Sequence, residues 1–382
     1  MSLHPTPPDE RPTIGVGLLG HGFMGRAHAS ALRQVPATFW PGSLRPELVA
    51  IAGRDEARTR EAAVRLGARA WTTDWRALVA DPAVEVFDNL APDDLHVEPT
   101  LAALAAGKHV VCEKPLAVDP DDAARLYLAA EAASVKHLTC FNYRFFPAVR
   151  LAWELLRGGE LGVVHHARIR YAQDWRTDPA APLPAATGAL DIIGSHAIDQ
   201  ARYLLGEIES VAATIISPVT TEDRRWGEQP AERIDAVAIL ATLAGGASAT
   251  IEASLIAPGR RNQLSWEVSC AGGSVAWNLE ELNVLRVHRR AGSATPGFTD
   301  VIVTEPEHEL ASAWWPSSHV LGWEHGHANM WAHLLDGIAT GAPLGPHAAT
   351  FRDGLQASRV GAAVRAAAAT GERTAVELGE PG

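Results

Sequence analysis

The chain has 382 residues and a formal net charge of -12, with 33 Lys and Arg against 45 Asp and Glu. That balance argues against a nucleic-acid partner, which needs a basic surface, and no apolar run is long enough to span a bilayer. Only three cysteines are present, Cys112, Cys140 and Cys270, with no Cys-x-x-Cys spacing, so a disulfide scaffold is excluded and a reducing, cytoplasmic setting is expected.

The length suits two domains rather than one core. Residues 1–12 are polar and proline-rich, read as a disordered tail without the apolar stretch of a signal peptide. From Thr13 onward, strand-like runs at Ile14–Leu19, Leu48–Ala52, Val84–Asn89, Val110–Cys112 and His137–Cys140 alternate with alanine-rich helical patterns such as Glu56–Leu66, Glu98–Ala106 and Asp121–Ala133. Such alternation predicts an α/β Rossmann-type parallel sheet over residues 13–142, with Asp55 and Asp119 as helix caps. Past Phe141 the rhythm changes. A helix at Pro147–Arg157 leads to a strand over Gly162–Gln173 and a helix over Asp191–Leu205. A succession of strands follows: Val211–Ile216, Ala236–Leu243, Ala247–Leu255, Ser265–Cys270, Ser274–Asn278, Val284–Val287 and Asp300–Thr304. Helices at Glu324–Ile338 and Phe351–Ala369 close the chain. Residues 143–382 are therefore expected to form an α+β domain with a large, predominantly antiparallel open-faced sheet that binds substrate and carries oligomer contacts.

Gly20-His21-Gly22-Phe23-Met24-Gly25 follows the first strand and opens a helix. In that context Gly20 allows the tight turn, Gly22 lets the backbone approach a pyrophosphate, and Gly25 lets helix and strand pack closely. Phe23 and Met24 belong to the same expected cofactor loop. After the second strand, Gly53 stands where an acidic residue commonly holds the adenosine ribose. Arg54, which follows, suits a 2′-phosphate and can equally stack on adenine, so NAD and NADP both stay open.

The glycine loop, Leu95-His96, Ala106-Gly107-Lys108-His109-Val110 and Glu113-Lys114-Pro115-Leu116-Ala117 together resemble the Gfo/Idh/MocA family of oxidoreductases. Phe141-Asn142-Tyr143-Arg144, Gln173-Asp174-Trp175, Gly194-Ser195-His196 and Gly322-Trp323-Glu324-His325 extend the likeness, the last segments resembling the levoglucosan-dehydrogenase branch. The resemblance implies Lys114 beside the reacting carbon, Glu113 by the nicotinamide ribose, His96 near the cofactor crevice, and His196 as proton acceptor. It also implies Asn142, Tyr143, Gln173 and Trp175 as substrate-lining groups. The activity implied is hydride transfer between a secondary alcohol of a sugar, sugar derivative or cyclitol and NAD or NADP, in a homodimer or homotetramer joined through the second sheet.

Two departures stand out. The family pattern sets an Asp four residues before the His, but here that position is Ile192 and Asp191 lies one earlier. In a regular helix Asp191 would point away, whereas Asp199, three after His196, shares its face. Asp199 is therefore the first expectation for a partner and Asp191, through local unwinding at Gly194, the second. The second departure is residues 182–187, Pro-Leu-Pro-Ala-Ala-Thr, which lack the Trp-Arg pair of relatives. These departures leave two alternatives, a cofactor-binding sensor or scaffold without turnover and a cofactor-assisted glycoside cleavage. The histidines between Trp314 and His333 lack metal-ligand spacing, so no metal is expected and packing or sugar stacking by the tryptophans is.

Overall fold

A computed structural model of the chain describes residues 9–177, 188–217, 234–290 and 296–381. The first half is built on β1 (Thr13–Leu19), α1 (Phe23–Thr38), β2 (Arg45–Ala52), α2 (Glu56–Leu66), β3 (Ala70–Thr72), α3 (Trp75–Ala80), β4 (Val86–Asn89), α4 (Val97–Ala105), β5 (His109–Cys112), α5 (Pro120–Ala133) and β6 (His137–Thr139). Its six strands are parallel in the order β3-β2-β1-β4-β5-β6. β1 is buried from Ile14 to Leu19 because helices cover both faces, which explains its unbroken apolar run. The caps fall as expected: the Asp55 carboxylate accepts from the Arg58 N–H and that of Asp119 from the Asp121 N–H. β3 and α3 are additional to the sequence reading; three residues of strand and six of helix are too short for periodicity to register. Strand order reverses about β1, so a crevice opens at the carboxyl ends of β1 and β4, where such sheets bind ligands.

The second half comprises α6 (Pro147–Arg157), β7 (Val164–Ala172), α7 (Ser195–Leu205), β8 (Ile208–Ile216), β9 (Ala236–Leu243), β10 (Ser248–Ser254), β11 (Gln263–Cys270), β12 (Gly273–Asn278), β13 (Val284–Arg289), β14 (Thr299–Ile302), α8 (His325–Thr340), α9 (Phe351–Thr370) and β15 (Thr374–Ala375). Nine strands run in the order β14-β13-β12-β11-β7-β10-β9-β8-β15. Only the central β7–β10 pair is parallel, so the expected mostly antiparallel sheet is what forms. Helices α6, α7 and α9 bury one face through Ala148, Ile198 and Val360. The other face carries Arg168, Arg170, Glu252 and Glu267.

The last helices tie the halves together. Met330, Trp331 and Leu334 of α8 pack on Leu32 and Val35 of α1, and Phe351 and Leu355 of α9 share a core with Leu126 of α5. No helix among the described residues is long and apolar enough to cross a membrane.

One element departs from expectation. Asp191–Leu205 is not a single regular helix: Leu190–Gly194 forms a wide π-type turn that continues into α7. Gly194 permits the close packing there, since a Cβ on it would stand 3.2 Å from the Ala189 carbonyl and 3.3 Å from Ala253 Cβ on β10.

Candidate active site

The three glycines of the loop differ in what surrounds them. Gly20 holds φ at +105°, and a Cβ on it would lie 2.6 Å from the Leu90 carbonyl oxygen; on Gly25 it would lie 2.6 Å from that of Gly20. Those two are required by packing. At Gly22 a Cβ would meet nothing within 4 Å, and no side chain caps the first turn of α1. The open glycine and the unclaimed N–H groups form a cradle that fits a dinucleotide pyrophosphate. Phe23 is exposed and stacks on Trp323 with ring centroids 5.3 Å apart, joining this loop to the second half, while Met24 is half-buried beneath it. Arg54 lies exposed just past β2.

β5 delivers Glu113 and Lys114 to the crevice. One oxygen of the buried Glu113 carboxylate accepts the Lys114 N–H at 3.1 Å, and the other lies 3.6 Å from His28 Nε2. His28, on α1, turns Nδ1 to Asp88 Oδ2 at 2.8 Å. Burial alone would push this imidazole down, but the flanking carboxylates of Asp88 and Glu113 outweigh it and raise the group to about 10. Burial likewise opposes ionisation of Glu113, and the His28 imidazolium beside it reverses that, holding it at about 2. The result is a buried chain of Asp88 carboxylate, His28 imidazolium and Glu113 carboxylate. Cys140 brings its sulfur within 4.8 Å of His28 and Glu113, a grouping with metal-like reach. Burial raises its thiol well above the ordinary value, however, and His28 is already committed to Asp88, so the set serves as a charge network. His327 on α8 packs against His28 with ring centroids 5.4 Å apart; burial, then the His28 charge, lower it to about 3.

Lys114 reaches across the crevice, its Nζ donating to the Ile192 carbonyl at 2.8 Å inside the π-type turn. His196 follows in the first turn of α7, buried among Phe141, Tyr143 and Tyr171, with the Tyr143 ring 4.7 Å away. Burial, then the Lys114 charge, push His196 well below its ordinary value, so the ring is neutral, and its Nδ1 has no hydrogen-bond partner among the described residues.

Three expectations are corrected by this geometry. Asp199 does not orient His196: its carboxylate takes the Arg144 guanidinium at 2.5 to 3.1 Å, and Arg144 also bonds Asp353 at 3.0 Å. Asp191 does not turn into the crevice either. The turn widens as local unwinding required, yet the carboxylate pairs with Arg365 of α9 at 2.6 and 2.7 Å. His96 is fully buried and cannot touch a cofactor. Its two ring nitrogens face the carbonyls of Pro115 at 2.7 Å and Ala91 at 3.0 Å, which fastens the Lys114-Pro115 corner to the loop after β4. Residues 182–187, with the missing Trp-Arg pair, lie outside the described residues.

The remaining residues form one polar line beside His196. Trp175 Nε1 donates to Gln173 Oε1 at 2.6 Å, Gln173 Nε2 donates to Asn262 Oδ1 at 2.7 Å, and the Tyr171 hydroxyl donates to the same oxygen at 2.8 Å. With its one hydrogen spent there, Tyr171 accepts from the Tyr143 hydroxyl at 2.8 Å. Asn142 is buried with its side-chain nitrogen unpaired among the described residues. Sequence reading missed His28, Asp88, His327, Tyr171 and Asn262. A carboxylate inside the apolar strand Val86-Phe87-Asp88 is a signal that could have flagged one of them, since a buried parallel strand tolerates a charge only with a partner.

Comparisons with known proteins agree with this layout. Residues 14–141 match the oxidoreductase family, NAD-binding Rossmann fold, and residues 149–276 match the GFO/IDH/MocA C-terminal domain. Levoglucosan dehydrogenase of Pseudarthrobacter phenanthrenivorans is 34% identical, with 93% of this chain and 96% of the relative covered. Inositol 2-dehydrogenase of Streptomyces avermitilis is 30% identical, with 96% and 95% covered. Among solved structures, a levoglucosan dehydrogenase in complex with NADH and L-sorbose superimposes with a TM-score of 0.91 at 34% identity, covering 96% of this chain and 99% of that one. An oxidoreductase domain protein from Kribbella flavida gives 0.90 at 37% identity, covering 96% and 100%. The chain belongs to the Gfo/Idh/MocA family of NAD(P)-dependent oxidoreductases.

Proposed function

We propose that this member of the Gfo/Idh/MocA family oxidises a secondary hydroxyl of a sugar, sugar derivative or cyclitol, reversibly, at the crevice between Lys114 and His196. One observation carries the reading: Lys114 Nζ crosses from the end of β5 to the Ile192 carbonyl at 2.8 Å, one turn from His196. A cation and a neutral base thus flank one space. Bound in the glycine cradle, NAD or NADP would supply the hydride acceptor. Gly20, Gly22 and Gly25 would hold its pyrophosphate and Glu113 its nicotinamide ribose. Lys114 donates to the hydroxyl oxygen and stabilises the charge that develops there as the C–H bond weakens. His196, kept neutral by burial and by Lys114, takes the hydroxyl proton. Gln173 and Asn262 offer amide groups, and Trp175 a ring face, suited to a polyol.

The relatives' substrates favour a pyranose or cyclitol over an open-chain alcohol. Steady-state absorbance of NADH or NADPH with a panel of sugars, anhydrosugars, cyclitols and glycosides tests the proposal. Oxidation of at least one ring polyol is expected; no turnover with any, despite cofactor binding, would favour the sensor reading. The uncovered face of the second sheet sets Arg168 against Glu267 and Arg170 against Glu252 beside exposed Leu240 and Ile216. That mixed, self-complementary surface suits a second copy of the chain, and light scattering that gives a monomer mass would remove this assignment.

A further inference from the structure

We propose that His21, between the first two glycines of the loop, replaces the missing second-strand carboxylate as the group that accepts the adenosine ribose 2′-hydroxyl. The imidazole thereby sets the choice between NAD and NADP. The inference rests on the dehydrogenase reading above and starts from a vacancy in the sequence. The residue after β2 is Gly53, and a glycine there offers the ribose no acceptor.

The space is filled from another element. A Cβ on Gly53 would stand 2.6 Å from His21 Nε2, 2.7 Å from His21 Cδ2 and 2.5 Å from Thr59 Oγ1. The His21 ring therefore lies directly on the Gly53 backbone, and any side chain at 53 would displace it. Histidine at 21 and a carboxylate at 53 exclude one another; the chain has the first arrangement.

Hydrogen-bond accounting fixes which ring nitrogen is free. The Thr59 hydroxyl has one hydrogen, and it goes to the Asp55 carbonyl at 2.5 Å. Its oxygen can then only accept from His21 Nε2, 3.2 Å away. In the neutral ring the proton thus sits on Nε2, and Nδ1 is left as an acceptor, the capacity a ribose hydroxyl needs. Thr59 is fully buried at the start of α2, so the ring is anchored by a rigid partner. An imidazole differs from a carboxylate in one respect that matters here: it carries no negative charge to repel a 2′-phosphate. With Arg54 exposed two residues beyond β2, NADP is disfavoured by the lack of a hydroxyl to donate, not by charge repulsion. The expected outcome is a preference for NAD of modest size rather than strict exclusion of NADP.

Titration calorimetry of the full chain with NAD and with NADP tests this directly, independently of any sugar substrate. His21→Ala should weaken NAD binding about tenfold, the scale of one hydrogen bond lost, and change NADP binding by less than about threefold. His21→Ala combined with Gly53→Asp, where the vacated space admits the carboxylate, should restore NAD binding and weaken NADP at least about tenfold further. Gly53→Asp alone, with the ring still in place, should weaken both. His21→Asn, which keeps a side-chain acceptor and a turn-compatible residue, guards against a loop that fails to form in the alanine variant and should fall between wild type and His21→Ala for NAD. Equal affinities for NAD in wild type, His21→Ala and His21→Asn would overturn the proposal, as would an equal loss for both cofactors. Failure of the wild type to bind either cofactor would instead defeat the dehydrogenase reading on which it rests.

Discussion

Two histidines buried to nearly the same degree, His28 and His196, stand on opposite sides of the crevice in opposite charge states. His28 lies between Asp88 and Glu113 and is raised to about 10. His196 lies among Phe141, Tyr143 and Tyr171 with the Lys114 cation nearby and is pushed well down. Burial pushes both in the same direction, so the partners decide the outcome. His28 belongs to a fixed ionic chain, which under the proposed function would hold a ribose in one place. His196 is an uncharged imidazole beside a cation, which under the proposed function would move a proton.

The contrast can be tested most severely where it concerns chemistry. Lys114→Ala should lower kcat by about 10²–10⁴-fold while cofactor affinity by calorimetry changes little, and undiminished turnover would remove Lys114 from the mechanism. His196→Asn should act on kcat over a similar range, and rescue by added imidazole would mark a proton-transfer role rather than a packing one.

On the ionic side the expected loss is stability. His28→Asn leaves Asp88 and Glu113 facing each other across a buried space and should cost about 3–5 kcal/mol in denaturant unfolding, with a raised KM for the cofactor. Asp199→Asn should cost less, about 2–3 kcal/mol, because Arg144 keeps Asp353. Its kcat should stay near that of wild type, since the carboxylate serves Arg144 and not His196. A kcat loss larger than that of His196→Asn would restore Asp199 as the histidine's partner. Asp191→Asn, which loosens a pair with the half-exposed Arg365, should cost only about 1 kcal/mol.

The smallest effect expected is in pH. His28, raised above its ordinary 6.5, contributes stability in full below that value, and the contribution is lost as pH climbs through about 10. Glu113, lowered to about 2, contributes above its ordinary 4.5 and loses that contribution as pH falls through about 2. His327, lowered to about 3, and His196 act the other way, because the unfolded chain takes up protons there below 6.5 that the folded chain refuses. Melting temperatures measured against pH should therefore peak near 6.5 and fall on both sides. In His28→Asn the alkaline fall should flatten while the acid fall persists, and an unchanged alkaline limb would show that His28 is not charged in the fold.

What could be read in the sequence follows the same division. Gly20, Gly22, Gly25, Glu113 and Lys114 are legible because they stand in short continuous motifs, even though Lys114 meets Ile192 78 residues on, and both sheets follow from the spacing of apolar runs. Asp88 and His28 are 60 residues apart, and Arg144 and Asp199 55, so their pairing exists only after the chain has closed. The three-residue spacing of His196 and Asp199 implies one face of a regular helix. It could not tell that Arg144 would arrive from the segment before α6 and claim the carboxylate. Asp191 failed for a related reason: widening at Leu190–Gly194 was foreseeable from Gly194, but the pull of Arg365, 174 residues on, was not.

The contact from Lys114 to the Ile192 carbonyl has a consequence for genetics. Because the acceptor belongs to the main chain, every substitution at position 192 preserves its oxygen, proline alone removing the N–H that bonds the Gly188 carbonyl, and an alanine or saturation scan would score this position as tolerant while its oxygen anchors the lysine. The anchor depends on where the backbone runs, and so on chain length. Deleting one residue between Gly188 and Gly194 would rewind the wide turn, carry the carbonyl around the helix axis and strand the ammonium, although every residue singled out by motif would still be present. Around this turn a change of chain length should therefore cost more than a change of side chain at position 192.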